Sequence, residues 1–321
     1  MNTKPTISFV IPALNEEYHI GNVIKAIKAY TPPRIFFEII VVDNGSTDGT
    51  VEIAKKEEAH VYQKPKLTIG ALRNYGVSKA SHEIIVFLDA DVYLRPKWKS
   101  HIGATVESLR QDEQIITGSI CGLREDPSLV EKCWWGPRLN RKHIFYINSG
   151  HMIMTKSFFH RLGGFDEKLK SGEDPELCFR AKTKGARIVN NPKLAVIHAG
   201  YPRSLKDFYH RERWHGRGVF KSLHDIASSK VTLLALLQLS LLIACTVYAL
   251  ATLNGWYLLI YVLFLLCLST IAAYHNTKKV NPCMFICMVI AAAFFIARSH
   301  AFLDIVFGKQ FLRKRSDLPF S

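Results

Sequence analysis

Phe87-Leu88-Asp89-Ala90-Asp91 closes an apolar run, Ile84 to Leu88, with two carboxylates one residue apart. Side chains alternate along an extended backbone, so Asp89 and Asp91 should face the same way at the strand's carboxyl end. Two hard oxygen donors on one side suit a divalent cation that keeps some waters and shares the rest of its shell with phosphate oxygens. The stretch reads as a site for a nucleotide diphosphate. A plain surface turn is the alternative, since Asp is common after strands, and the flanking pattern decides between them.

On the N-terminal side, Ile7 to Ile11 is a short apolar run closed by Pro12. Asn15-Glu16-Glu17 then opens a helical pattern carrying Ile20, Val23, Ile24 and Ile27. Pro32-Pro33 ends that unit, and Phe37 to Val42 is a second buried strand stopping at Asp43. Asn44-Gly45-Ser46-Thr47-Asp48-Gly49 is a turn, in which Ser46 or Thr47 can cap the next helix. A weaker strand at His60 to Tyr62 and a helix from about Ile69 to Ser78 lead to the strand that ends at Asp89. Strands that are apolar throughout and alternate with helices predict an α/β fold with a parallel sheet covered on both faces. In such sheets ligands bind beyond the carboxyl ends of the strands, where Asn15, Glu16, Asp43, Asp89 and Asp91 all fall. A dinucleotide-binding Rossmann unit is disfavoured, because Pro12-Ala13-Leu14-Asn15 stands where its glycine fingerprint belongs.

Beyond Pro96 the pattern predicts a helix carrying Trp98, Ile102 and Val106, and a strand near Ile115 to Ile120. From Arg124 to Phe145 no element is assigned. Trp134-Trp135, beside a basic patch at Arg138, Arg141, Lys142 and His143, would stack on a sugar, lie at a lipid interface, or pack in a second core.

Length and composition narrow the partners. The chain has 321 residues, which allows two domains, and a net charge of +15. Its basic residues cluster before and after an apolar last third, which points to anionic lipid headgroups and a phosphorylated substrate. No nucleic-acid recognition module is evident. The seven cysteines lie far apart without a CxxC pair, and so predict neither a disulfide framework nor a zinc site. Met1 to Thr6 is polar and lacks the layout of a signal peptide, so the soluble part is expected in the cytoplasm.

Six segments occur together in order: Val10-Ile11-Pro12-Ala13-Leu14-Asn15-Glu16-Glu17, Val41-Val42-Asp43-Asn44-Gly45-Ser46-Thr47-Asp48-Gly49-Thr50, Arg73-Asn74-Tyr75-Gly76, Phe87 to Asp91, Gly163-Gly164-Phe165-Asp166-Glu167 and Gly172-Glu173-Asp174-Pro175-Glu176-Leu177. Over roughly Thr6 to Gly218 the chain resembles the family 2 glycosyltransferases. That resemblance implies the GT-A fold, a Rossmann-like nucleotide-diphospho-sugar transferase domain. It implies transfer of a sugar from a nucleotide-diphosphate donor with inversion, and Mg2+ or Mn2+ as cofactor. On matching positions it implies that Pro12, Ala13, Asn15, Glu16 and Asp43 hold the base and ribose, with Arg73 and Asp89 nearby. Asp91 would be the metal ligand touching the diphosphate, Asp174 the catalytic base, and Glu173 a neighbour on the acceptor side. His198, after a short strand at Leu194 to Ile197, resembles the histidine that completes the metal shell in some members. His210-Arg211-Glu212-Arg213-Trp214 resembles the Gln-x-x-Arg-Trp segment of membrane-bound polymerising members, with His210 in place of glutamine. It would put Arg213 on the donor diphosphate and Trp214 beside the acceptor; a basic interfacial helix is a compatible reading.

The chemistry agrees independently. Inverting transfer needs a carboxylate to take the acceptor hydroxyl's proton opposite the leaving diphosphate, and a cation to stabilise the charge building on that group. Asp174 heads a helix, so capping is its alternative role.

Val231 to Leu253 and Trp256 to Tyr274 carry no charged residue, and each approaches the ~20 residues that cross a bilayer core. Asn254-Gly255 forms a tight turn between them, and basic residues flank the pair, which predicts a cytoplasmic catalytic domain at the cytoplasmic (inner) membrane. A third apolar stretch, 283–307, is interrupted by Arg298, His300 and Asp304 and followed by Lys309, Arg313, Lys314 and Arg315. It is read as a third span, with an interfacial or re-entrant course as the alternatives. The expected organisation is a GT-A domain over 1–200, a basic interfacial region over 201–230, an α-helical transmembrane region over 231–307 and a basic tail over 308–321.

The function expected is a membrane-anchored inverting transfer to a lipid-linked glycan or lipid acceptor, since anchoring beside a membrane-borne acceptor raises its local concentration. The alternatives are a polyprenyl-phosphate sugar synthase, which would generally lack the Gly172 to Asp174 segment, a processive polymerase, a non-catalytic nucleotide-sugar-binding membrane protein, and a nucleotidyltransferase.

Overall fold

A computed structural model describes residues 5–139, 144–169, 171–217, 229–278 and 283–307. The expected basic patch at Arg141 to His143, part of the interfacial region (218–228), Lys279 and the basic tail (308–321) lie outside these residues. The chain divides into two compact units, Met1–Arg124 with Arg141–Gly200, and Glu125–Asn140 with Tyr201–Ser321.

The first unit contains β1 (Thr6–Ala13), α1 (Ile20–Tyr30), β2 (Phe36–Asp43), α2 (Thr50–Lys56), β3 (His60–Gln63), α3 (Ile69–Lys79), β4 (Ile84–Leu88), β5 (Val92–Leu94), α4 (Pro96–Gln111) and β6 (Ile115–Gly118). The second unit intervenes with α5 (Leu129–Trp134) and α6 (Gly136–Leu139). The first then resumes with β7 (His151–Thr155), α7 (Lys156–Leu162), α8 (Glu173–Thr183), β8 (Arg187–Asn190) and β9 (Val196–His198).

Seven strands form one sheet in the order β3-β2-β1-β4-β7-β6-β8. Alternation along β1 sends Ile7, Phe9 and Ile11 into one core with Ile20, Ile24 and Ile27 of α1 and Trp98 and Ile102 of α4. Val10 faces the other core, with Leu72, Phe158 and Leu177 from the helices on that side. Strands buried on both faces explain the continuous apolar runs of β1, β2 and β4. The helices begin and end where the sequence supplies caps. The Thr68 hydroxyl accepts from the Ala71 N–H at the start of α3, and α7 stops at Gly163, whose φ of 82° suits glycine. Gly76 is required by space: a Cβ there would lie 2.4 Å from Val10 Cγ1, so α3 sits on β1 only because that atom is absent.

The sheet is mixed, where an all-parallel sheet was expected. β7 runs antiparallel to both β4 and β6. The reason lies in the connection: after β6 the chain leaves the first unit and returns on the same carboxyl edge. Among the described residues of the first unit no helix crosses back over the sheet between β6 and β7, so the direction reverses. β1 also continues through Pro12 to Ala13, beyond the expected end at Ile11. Pro12 is in register with Val42, past the part of β1 that pairs with β4, so its missing N–H breaks no ladder on that side.

The second unit adds α9 (Leu205–Gly216), α10 (Lys230–Thr252), α11 (Trp256–Thr277) and α12 (Met284–Val306). The last three are long and apolar enough to cross a membrane. Trp134 and Trp135 are buried within this unit: Trp134 lies 5.1 Å from Phe208 and 5.5 Å from Phe294, and Trp135 stacks on Tyr201 at 4.7 Å. Of the three readings for this pair, packing in a second core is the one observed.

Candidate active site

The β1 and β2 tips are tied to each other by their own side chains. Asn15, in the left-handed region at φ 53°, donates its N–H to Ser46 Oγ (2.8 Å) and accepts at Oδ1 from the Thr47 N–H (2.8 Å). The Glu16 N–H reaches Thr50 Oγ1 at 2.7 Å, and the Gly49 N–H reaches Glu17 Oε2 at 2.9 Å. Asp43, fully buried, accepts at Oδ2 from the Gly45 and Ser46 N–H groups, both at 3.0 Å, and at Oδ1 from the Ser46 hydroxyl. Its carboxylate therefore shapes its own turn, as Asp commonly does. Pro12, Ala13, Asn15, Glu16 and Asp43 thus converge on one rigid corner at the carboxyl edge of the sheet.

Beside it, β5 pairs antiparallel with β9, Val92 opposite His198, and the Ala199 N–H donates to the Asp91 carbonyl at 2.8 Å. This small ladder returns the imidazole to the paired aspartates, with His198 Nε2 3.9 Å from Asp91 Oδ1. Ligand atoms of Asp89, Asp91 and His198 all lie within 4.8 Å of one another. Two glycines make room: a Cβ on Gly200 would sit 1.9 Å from Asp91 Oδ2, and one on Gly150 2.8 Å from Asp89 Oδ2. The local field is negative. Burial, then the charges of Asp91 and Glu16, push the Tyr93 hydroxyl up to about 12. Two carboxylates and one imidazole fit Mn2+ or Mg2+ with shell positions left for phosphate oxygens.

One guanidinium joins this corner to the next. Arg73, 2 % exposed, donates from Nη2 to Asp89 Oδ1 (2.7 Å) and from Nη1 to Glu173 Oε1 (2.8 Å). Its neighbour Asn74 holds the Gly163 to Glu167 loop, through Phe165 N–H to Oδ1 and Nδ2 to the Phe165 carbonyl, both 2.9 Å. Three of the six sequence segments are thus bound together by two adjacent side chains. Arg73, expected near the base and ribose, has both terminal nitrogens committed to carboxylates and acts as a strut.

Asp174 is the second residue of α8, whose N-cap is Gly172, and no side chain caps that helix. Its Oδ2 accepts from the Ser149 N–H at 3.3 Å. Burial, and then the charge of Glu173, push its carboxyl up to about 7, against the opposing pull of Arg73 and the Ser149 N–H. A carboxyl poised near neutral pH suits proton abstraction.

The sequence reading missed Gly150, Gly200, Ser149 and His151. Only the polar Asn148-Ser149-Gly150 turn gave a signal, and it was obscured by the unassigned stretch before it. His151 is wholly buried and accepts at Nε2 from Trp98 Nε1–H (3.1 Å). Its Nδ1 lies 3.1 Å from Ser119 Oγ, which donates to the Leu194 carbonyl at 2.6 Å. Burial pushes this imidazole down to about 3, so it is a neutral brace between Trp98 and Ser119. Arg213 and Trp214 belong to the second unit. Arg213 is bound there to Asp304, at 2.8 Å from Nε and 2.5 Å from Nη2, and Trp214 is 37 % exposed.

The sequence profile of glycosyl transferase family 2 matches residues 8–161, and that of glycosyl transferase family group 2 matches residues 134–296. The chain belongs to glycosyl transferase family 2. Among its relatives, the glycosyltransferase AglE of Haloferax volcanii is 33% identical over 126 residues, 37% of this chain and 40% of AglE. The pre-mycofactocin glycosyltransferase of Mycobacterium tuberculosis is 25% identical over 227 residues, 65% of this chain and 46% of the relative. The succinoglycan biosynthesis protein ExoA of Rhizobium meliloti is 25% identical over 236 residues, 68% of this chain and 71% of ExoA. The chain thus spans less than half the length of the first two. The family 2 chain also shares its fold with the mannosyltransferase PcManGT of Pyrobaculum calidifontis, solved with GDP-Man and Mn2+. The TM-score is 0.58 at 16% identity, over 96% of this chain and 89% of that one. Its mixed sheet with flanking helices is that of the GT-A glycosyltransferases.

Proposed function

We propose that the chain is a membrane-anchored inverting glycosyltransferase that moves a sugar from a nucleotide-diphosphate donor to a lipid-linked glycan or lipid acceptor, in cell-envelope or exported-polysaccharide synthesis. One observation carries the reading: a cation-type cluster at Asp89, Asp91 and His198 and a carboxyl poised near neutral pH at Asp174 belong to one unit and are linked through Arg73 and Glu173.

In this reading the rigid corner made by Pro12, Ala13, Asn15, Glu16 and Asp43 receives the base and ribose. Asp91 and His198, with Asp89 beside them, would hold Mg2+ or Mn2+, which when bound offsets charge on the diphosphate. Arg73 fixes Asp89 so that its second oxygen stays directed at the cluster. Asp174, once ionised, takes the acceptor hydroxyl's proton as that oxygen attacks the anomeric carbon on the face opposite the diphosphate, and the chain stores that proton on its carboxyl. Glu173, held by Arg73, keeps the neighbouring charge that tunes Asp174. The α10–α11 pair anchors the enzyme, with both basic-flanked ends in the cytoplasm.

The test is a screen of nucleotide sugars for free nucleoside diphosphate released with Mn2+ or Mg2+ by the full chain in membranes containing lipid acceptors. The wild type should release it with one donor class and Asp174→Asn should not, while both bind that donor. Unchanged turnover in Asp174→Asn would remove this residue from the base role; pyrophosphate from a nucleoside triphosphate would indicate nucleotidyl transfer instead.

A further inference from the structure

The third long apolar helix differs from the other two in what covers it. In the most apolar 18-residue window of each, 39% is buried in α12, against 22% in α10 and 11% in α11. Much of that cover comes from polar elements. Near its start, Cys287 Sγ donates to the Cys133 carbonyl of α5 at 2.9 Å. In its middle, Phe294 lies 5.5 Å from Trp134. Towards its end the residues that interrupt the apolar run all meet α9 and its C-cap: Arg298 with Glu212 at 2.6 Å, His300 with the Tyr209 hydroxyl, and Asp304 with Arg213 and with Arg217 at 2.7 Å. Backbones also close up there, since a Cβ on Gly216 would lie 2.7 Å from that of Ala301.

These covering elements cannot be inside a bilayer. α9 carries Lys206, Asp207, Arg211, Glu212 and Arg213 within 12 residues, and charged side chains are costly in the hydrocarbon core. The α5–α6 excursion, Glu125–Asn140, leaves the first unit and returns to it; a segment so short, holding Glu131, Lys132 and Arg138, cannot cross and come back. α9 follows that same unit directly after Gly200. All three must therefore stay on one face. A crossing helix would separate its ends by the roughly 30 Å hydrocarbon core, yet α12 is held by such elements near its beginning, middle and end.

We infer that α12 does not cross the membrane but lies in the leaflet next to α5 and α9, leaving the α10–α11 hairpin as the sole traverse among the described helices. The partner this surface fits is the headgroup–acyl boundary of that leaflet, which receives the exposed apolar Phe285, Val289, Ile305 and Val306. The hairpin is consistent with this: α12 meets it near the open end, with Ser299 Oγ donating to the Ala235 carbonyl at 2.8 Å and Phe295 packing with Ala235 and Leu268. Around the turn, Leu250, Leu253 and Trp256 are left exposed and apolar. α12 then ends on the α9 face, at Phe307, and the sequence beyond it carries Lys309, Arg313, Lys314 and Arg315, the residue types that the positive-inside rule expects for that face.

The inference rests on the membrane-anchored reading above, and the experiment separates the two. Epitope tags are placed before Met1, between Asn254 and Gly255, and after Ser321 of the full chain, and their protease accessibility is compared in sealed vesicles of both orientations. The expected result is that the two terminal tags share a face and the turn tag lies on the other. Terminal tags on opposite faces would overturn the in-plane assignment of α12 while leaving the anchor standing. A turn tag on the face of the N-terminal tag would overturn the spanning hairpin, and the inference with it.

Discussion

Asp174→Asn should raise stability while abolishing turnover, and by an amount that depends on pH. An Asp carboxyl ordinarily near 3.8 stands at about 7 in the folded chain. Between these values the folded state keeps a proton that the unfolded state has released, so stability falls as pH rises. At about 1.36 kcal/mol per pH unit, the loss reaches at most about 4 kcal/mol by pH 7 and is constant above it. Below pH 4 both states are protonated and the cost vanishes. Asparagine carries no charge, so the variant lacks that decline, and its advantage over the wild type should open between pH 4 and pH 7 and then level off. At about 2–4 °C per kcal/mol for a domain of this size, the plateau is on the order of 10 °C in Tm. The assay is thermal unfolding of both proteins in one detergent from pH 4 to pH 9. A gap that does not grow with pH would refute the buried, elevated Asp174 on which the base assignment depends.

Other outcomes follow from the same geometry. Turnover of the wild type at saturating donor should fall about tenfold per pH unit below pH 7, and Glu173→Gln, by removing the charge that raises Asp174, should move that limb to lower pH; a limb that does not move would contradict the pairing. Arg73→Met should cost about 3–5 kcal/mol by leaving Asp89 and Glu173 without their shared cation. It should also move the limb to higher pH, both readable by unfolding and a pH–rate profile. Gly200→Ala should displace the Asp91 carboxylate, because its Cβ would fall 1.9 Å from Oδ2. Mn2+ affinity should drop at least tenfold, about 1.4 kcal/mol, with little change in Tm; unchanged affinity on titration would mean that Asp91 does not bind the ion as it stands.

Much of the fold was legible because β1, β2 and β4 are buried on both faces and announce themselves as apolar runs ending in polar tips. The helices α1 and α4 were equally plain from the spacing of Ile20, Val23, Ile24 and Ile27 and of Trp98, Ile102 and Val106. β7 was not legible as antiparallel, because strand direction is set by the connection, and the connection runs through the other unit. Residue types at the site could be read, but not their partners. Arg73 and Asp89 were each expected beside the base and ribose, whereas the bonds of Arg73 to Asp89 and to Glu173 depend on contacts across 16 and 100 positions of sequence. Gly200 carries no signal in a single sequence, and Gly150 only that of a polar turn, since what they supply is the space of an absent methyl. In the same way Arg298, His300 and Asp304 interrupt an apolar run when read linearly; only the fold shows that each meets a partner on or beside α9.

The most direct measurement of the central claim is Mn2+ bound by the full chain in the presence of a nucleoside diphosphate, followed by electron paramagnetic resonance for the wild type, Asp91→Asn and Asp174→Asn. The cation-bridged diphosphate predicts that wild type and Asp174→Asn bind the ion alike, that Asp91→Asn loses it, and that only the wild type turns over. Retention of Mn2+ by Asp91→Asn would contradict it.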